Sequence, residues 1–294
     1  MGKKKWRRAP TSHSARPNTP RGARPLRLLC VVCFVLFFFC LYTAKVASFQ
    51  IFSAAEIELL RRGGKILREC LTETSRLVKA GITTAELDRF AEEFIRSHEG
   101  ATPAFKGYHG FPATLCTSVN EQCVHGIPGP RKLIEGDIVS LDGGVIFGHL
   151  YTDACVTVPV GRITEDVAAF LKVSEDALEN VCVSIAPGVK IGDISSAIQQ
   201  YVEKHGYSCV NGLTGHGLGS TLHQFPDVPN VGKAGTGPKL PVHTIIAIEP
   251  ITSMGKPNIR EESDGWTICT ADRSLSGHFE HTVLVTETGY EIIA

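Results

Sequence analysis

Residues 81–98, GITTAELDRFAEEFIRSH, lie over residues 188–205, GVKIGDISSAIQQYVEKH, without a gap at an offset of 107. Leu87 falls on Ile194, Ala91 on Ile198, Phe94 on Tyr201 and Ile95 on Val202, an apolar stripe at helical spacing in both segments. Each unit also follows another helical stretch, ended at Gly81 or at Pro187-Gly188. Unless two amphipathic patterns agree by chance, this repeat confines the fold to two α+β halves related by a pseudo-twofold axis. With 294 residues, 43% of them apolar, the chain can bury the core such halves need. Two capping boxes mark helix starts. Ser53-Ala-Ala-Glu56 opens a helix running towards Val78, and Thr83-Thr-Ala-Glu86 opens the first repeated unit.

Between the units lies Asp137 to Val158, DIVSLDGGVIFGHLYTDACVTV. Its Val, Ile, Tyr and Thr content on both sides of Phe147-Gly148 predicts a β-hairpin. A turn centred there pairs residues whose numbers sum to 295 and sets Asp142 directly opposite Asp153. Opposed like charges destabilise a sheet, so a shared proton or a metal ion must neutralise them. Taken alone, the two residues read more simply as a turn Asp before Gly143-Gly144 and an unrelated surface Asp.

The remaining candidates sit at strand ends or among glycines. The Gly- and Pro-rich stretch Phe105 to Pro130 reads as loop and short strands, where Tyr108, Phe111 and Cys116 could line an apolar pocket and His125 stands accessible beside Gly126. In GLTGHGLGSTLH, residues 212–223, glycines flank His216 and permit close approach of a ligand. A phosphate loop would need a lysine and a following helix start that this motif lacks. Glu249 ends the apolar strand TIIAIEP, and Glu280 heads another in HFEHTVLV. A carboxylate among isoleucines is costly to bury unpaired. Two Asp, two Glu and one His are too acidic for a structural zinc and suit two divalent cations bridged by carboxylates.

The front of the chain differs in kind. Residues 1–55 hold ten Lys or Arg and no acid, which leaves twenty basic against thirty acidic residues and an acidic body. That balance argues against a nucleic-acid ligand. Residues 1–27 have the composition of a disordered basic extension. Residues 28–44, LLCVVCFVLFFFCLYTA, carry no charge over seventeen positions, the lower limit for a membrane span. Residues 28–49 are therefore an anchor, a targeting signal or the product of a mis-assigned start, with the folded body spanning 50–294. The charge rule would send the body across the membrane. Seven scattered cysteines from Cys70 to Cys269 instead fit buried thiols in a reducing compartment and a cytoplasmic body.

The strings GYHGFP, NEQCVHGIP, GHGLGSTLH, AIEP and HFEHT, with the Asp142 and Asp153 pair, resemble type I methionine aminopeptidases over residues 53–294. The resemblance implies the pita-bread fold and removal of the initiator methionine from nascent chains with a small second residue. It implies that Asp142, Asp153, His216, Glu249 and Glu280 bind two divalent ions (cobalt, manganese, iron or zinc), with Asp153 and Glu280 bridging. By the same likeness His125 and His223 contact substrate and the tetrahedral intermediate, Glu249 moves the proton of the attacking water, and Phe105, Tyr108, Phe111, Cys116, Leu222 and Trp266 hold the methionine side chain. Implied partners are N-terminal methionine peptides and, through nascent chains, the ribosome, for a monomeric enzyme. Gln224-Phe225-Pro226 departs from the usual family pattern, which has acidic residues after the histidine, and puts second-residue preference in question. Only 26 positions separate His223 from Glu249, too few for the insert of type II enzymes. The competing readings are a prolidase or Xaa-Pro aminopeptidase relative, which would carry a further N-terminal domain, and a pita-bread binding protein without chemistry, which would have lost ligands.

Overall fold

The computed structural model describes residues 48–294. After the Ser53 capping box, α1 spans Ala54–Leu77, and α2 spans Thr84–Arg96 from the Thr83 box. Strands β1 (Ala101–Pro103), β2 (Leu115–Val119), β3 (Gln122–Val124), β4 (Ile138–Phe147) and β5 (Leu150–Pro159) follow. Then come α3 (Glu165–Cys182) and α4 (Ile191–Lys204), and β6 (Ser208–Cys209), β7 (Thr214–Gly217) and β8 (Gln224–Pro229). The chain closes with β9 (Ile245–Ile248), β10 (Ile251–Ser253), β11 (Ile259–Glu261), β12 (Ile268–Thr270), β13 (Ser276–His278), β14 (His281–Val285) and β15 (Tyr290–Ile292).

The offset of 107 persists well beyond the helices. Thr84, Leu87, Ala91 and Ile95 are buried on α2, and Ile191, Ile194, Ile198 and Val202 take the matching places on α4. The bridge Thr83 to Lys132 recurs as Lys190 to Lys239. The amide of Gly81 donates to the Leu133 carbonyl at 2.8 Å, and that of Gly188 to Leu240 at 2.8 Å. Two separate pieces of chain thus repeat the same local pairing, which agreement of helix patterns alone would not produce. One core gathers Leu67, Leu87, Ile95 and Leu141 under α1 and α2, and another gathers Phe170, Leu178, Ile198 and Val283 under α3 and α4.

The strand β4 pairs with β1 and β2 along one edge and with β5 along the other. A five-stranded sheet runs β15-β14-β9-β7-β8. The two meet where Cys155 bridges Glu280 and the Asp153 amide donates to Thr282 Oγ1 at 2.9 Å. At Gly63 and Gly64, α1 lies directly on its neighbours: a Cβ at Gly63 would stand 3.1 Å from Phe147, and one at Gly64 would collide with the Ile293 carbonyl. The Arg68 guanidinium also donates to that carbonyl.

The hairpin turn corrects the sequence reading. Its centre is Gly148-His149, one position later than expected, so the register sets Asp142 opposite Cys155 and Asp153 opposite Gly144. A two-residue turn of this kind favours glycine at its first central position, where Gly148 takes a φ of 67°. Because the slip is two residues in pairing, both aspartates keep the same face and become diagonal neighbours instead of facing partners.

All seven described cysteines are free and buried. Among the described residues no helix is long and apolar enough to cross a membrane. The apolar run at 28–44 lies outside the described residues.

Candidate active site

Five acidic or imidazole side chains from four places in the chain converge on one cavity of about 230 Å³. Asp142 and Asp153 project from mid-strand on β4 and β5, Glu249 follows β9, and Glu280 lies in the step between β13 and β14. His216, expected in a glycine turn, is instead within β7, opposite Asp227. Its flanking glycines serve packing, since a Cβ at Gly215 would collide with the Ala247 carbonyl. Asp142 and Glu249 stand at the same 107-residue offset as the helices, one on each half.

The distances define a common centre. His216 Nε2 lies 3.8 Å from Asp153 Oδ2 and 3.6 Å from Glu249 Oε1. Atoms of Asp153, His216 and Glu280 all fall within 4.8 Å of one another. The Nδ1 of His216 meets the Gly217 carbonyl at 3.0 Å, and a carbonyl can only accept, so Nδ1 carries the proton and Nε2 presents a lone pair to the carboxylates.

Every member of this group is buried, with Glu280 only 3% exposed. Burial first, and then mutual repulsion, pushes Asp142 up to about 7 and Asp153 and Glu280 well above the usual carboxylate range. Burial alone takes Glu249 to about 8. Burial also drives His216 down to about 3, helped by the neighbouring His223. Asp153 Oδ1 and Glu280 Oε1 have no hydrogen-bond partner. Buried polar atoms are nearly always satisfied, so orphaned oxygens among crowded carboxylates call for cations. The donor set of four carboxylates and an imidazole with a free Nε2 fits divalent metal ions.

One wall of the cavity is apolar. Phe105, Phe111, Cys116 and Leu222 are buried there, packed against Tyr108 and Trp266. Phe111 and Trp266 meet edge to face at 5.2 Å. Two histidines stand exposed at the rim. His125 is held at a φ of 59°, a conformation L-residues seldom adopt. His223 Nδ1 lies 3.1 Å from the Tyr108 hydroxyl, and its ring sits 4.2 Å from that of His216. Partial burial of the rings, and then the charge of neighbouring histidines, lowers the pKa of both rim histidines.

His278, in the HFEHT string, also lines the cavity, although it was not among the residues expected there. It is 2% exposed, its Nε2 is 3.5 Å from Glu249 Oε2 and 3.9 Å from Glu280 Oε2, and neither ring nitrogen has a hydrogen-bond partner. Its place two residues before Glu280 at a strand end was the available signal.

Comparisons with known proteins agree with this geometry. The model of metallopeptidase family M24 matches residues 58–287. Methionine aminopeptidase of Clostridium perfringens is 47% identical over 238 residues, 81% of this chain and 95% of its own. Methionine aminopeptidase 1 of Bacillus subtilis is 42% identical over 81% of this chain and 96% of its own. The crystal structure of methionine aminopeptidase from Thermotoga maritima superposes with a TM-score of 0.82 at 39% identity, covering 84% of this chain and 99% of that one. A prolidase from Pyrococcus horikoshii shares the fold at a TM-score of 0.68 but only 20% identity, covering 83% of this chain and 62% of its own. The chain belongs to metallopeptidase family M24 and, within it, to the methionine aminopeptidases.

Proposed function

We propose that this protein is a metal-dependent aminopeptidase that removes the initiator methionine from nascent proteins and peptides with a small second residue. The observation that carries the reading is the cluster of four buried carboxylates and His216 against an apolar cavity of single-side-chain size. Two divalent cations held by Asp142, Asp153, His216, Glu249 and Glu280 would activate water and polarise the scissile carbonyl.

The chain's own groups do the rest. The methionine side chain enters between Phe105, Tyr108, Phe111, Cys116, Leu222 and Trp266, where an unbranched thioether packs well against aromatic edges. His125 and His223 hydrogen-bond the substrate from the rim and stabilise the oxygen that becomes negative in the tetrahedral intermediate. Glu249 accepts the proton of the attacking water on a carboxylate oxygen and returns it to the leaving amine nitrogen. The apolar wall excludes water from the face opposite the carboxylates, which strengthens every charge interaction within. Acting on nascent chains requires this body to face the cytosol, with residues 28–49 an anchor, a targeting signal or the product of a mis-assigned start.

The test is release of methionine from Met-Ala-Ser and Met-Pro-Ser, with metal added or chelated, beside an Ala-Pro-Ser peptide. Metal-dependent release from the methionine peptides and little turnover of Ala-Pro-Ser is expected. Preferred cleavage of Ala-Pro-Ser would favour the Xaa-Pro reading, and no metal-stimulated release from any peptide would refute an enzyme.

A further inference from the structure

The chain just ahead of α1 grips the loop that carries His223. Gln50 Nε2 donates to Ser220 Oγ at 2.6 Å, while Gln50 Oε1 accepts from the Ser220 amide at 3.3 Å and from Gln224 Nε2 at 3.0 Å. Gln224 Nε2 is shared with the Leu218 carbonyl at 3.1 Å. One side chain thus ties together positions on both sides of His223. Its neighbours extend the grip: the ring of Phe49 meets that of Phe225 edge to face at 4.9 Å, and Phe52 packs where any side chain at Gly219 would collide with its ring. Phe52 is itself anchored, 2% exposed and donating its amide to the His243 carbonyl at 2.9 Å.

The segment held this way is exposed at Ser220, Thr221 and His223, with a register shift in the ladder between His216 and Gly217 just before it. Leu218 and Leu222 bury the loop on its inner side, and a side chain bonded on both flanks restricts the exposed positions between and beside them. The unusual Gln224-Phe225 pair after His223 also gains an explanation. A carboxylate at 224 would present acceptors to Gln50 Oε1 and the Leu218 carbonyl, which both need a donor, whereas the Gln224 amide serves them. Phe225 supplies the ring that Phe49 meets edge to face.

We propose that Gln50 is a positioning residue for His223, holding its loop so that the imidazole meets the reacting substrate. The proposal rests on the role assigned to His223 under Proposed function. An imidazole aimed at a developing charge is sensitive to displacements of about 1 Å, so loosening the loop lowers turnover more than ground-state binding.

The test is a double-mutant cycle on the full-length, metal-loaded protein with Met-Ala-Ser. Gln50→Ala should lower kcat about tenfold with KM little changed and melting temperature preserved. Gln50→Glu, which keeps acceptors for the Ser220 amide and hydroxyl and for Gln224 Nε2, should restore most of the rate. In a His223→Ala background, Gln50→Ala should cost nothing further, because the residue it positions is gone. Equal losses in both backgrounds, or no loss in either, would overturn the proposal. If His223→Ala alone leaves turnover unchanged, the assignment of His223 itself falls and the proposal with it, an outcome separate from the other two.

Discussion

Removing divalent metal should make the fold lose stability as pH rises from 6.5 to 8.5. Asp142 moves from an ordinary 3.8 up to about 7 and Glu249 from 4.5 to about 8, while Asp153 and Glu280 lie higher still. A carboxyl whose folded pKa lies above its unfolded value contributes fully below the unfolded pKa, and that contribution is lost steadily as pH climbs from the unfolded to the folded pKa. Across these two pH units a group still protonated in the fold loses about 2.7 kcal/mol, at roughly 1.4 kcal/mol per unit, whereas Asp142, at about 7, loses most of its share below the window. The four groups titrate as a set, so the loss belongs to the cluster. His216, held down at about 3, acts in the opposite sense, stabilising progressively as pH rises to the unfolded histidine value near 6.5 and staying constant above it. Above pH 6.5 the carboxylates are therefore the buried site groups that still change. A loss of about 3 kcal/mol in a domain this size corresponds to about 8 °C in Tm. Thermal melts of EDTA-treated protein at half-unit pH steps should show that fall, melts with manganese should be nearly flat, and Glu249→Gln should reduce the slope. A chelated protein whose Tm is flat or rising across the window would refute this electrostatic reasoning.

Three further outcomes follow from the same contacts. Gly64→Ala should destabilise by about 1–3 kcal/mol in urea melts, despite alanine's better helix propensity, because the new Cβ collides with the Ile293 carbonyl. Trp266→Ala removes the edge partner of Phe111 and should raise KM for Met-Ala-Ser several-fold with a smaller change in kcat. Glu280→Gln leaves a buried amide where an orphaned carboxylate oxygen stood, and should abolish methionine release and weaken metal uptake in calorimetric titration.

Much of this was legible in the chain because its signals were local or repeated. The capping boxes at Ser53 and Thr83 start helices where they predict, since a side chain three residues away satisfies the orphan amides. The offset of 107 revealed the two halves because the same stripe has to bury against the same kind of sheet. The hairpin was visible but its register was not: centring the turn on Gly148-His149 or on Phe147-Gly148 depends on the positive φ of Gly148, which composition does not encode. His216 lies in β7 because its glycines pack under the Ala247 and Phe225 carbonyls, a requirement that only the neighbouring strands reveal. His278 and Gln50 escaped notice for a related reason. One gains meaning from Glu249, far off in sequence, and the other from a loop 170 positions away.

The central claim is that Asp142, Asp153, His216, Glu249 and Glu280 together hold the metal that drives removal of an N-terminal methionine. Its most direct test is methionine release from Met-Ala-Ser as manganese is titrated into chelator-treated wild type and Asp153→Asn. Wild type should regain activity as metal binds, and Asp153→Asn should stay inactive at metal levels that saturate the wild type. Equal recovery in both proteins, or full activity in the chelated wild type, would contradict it.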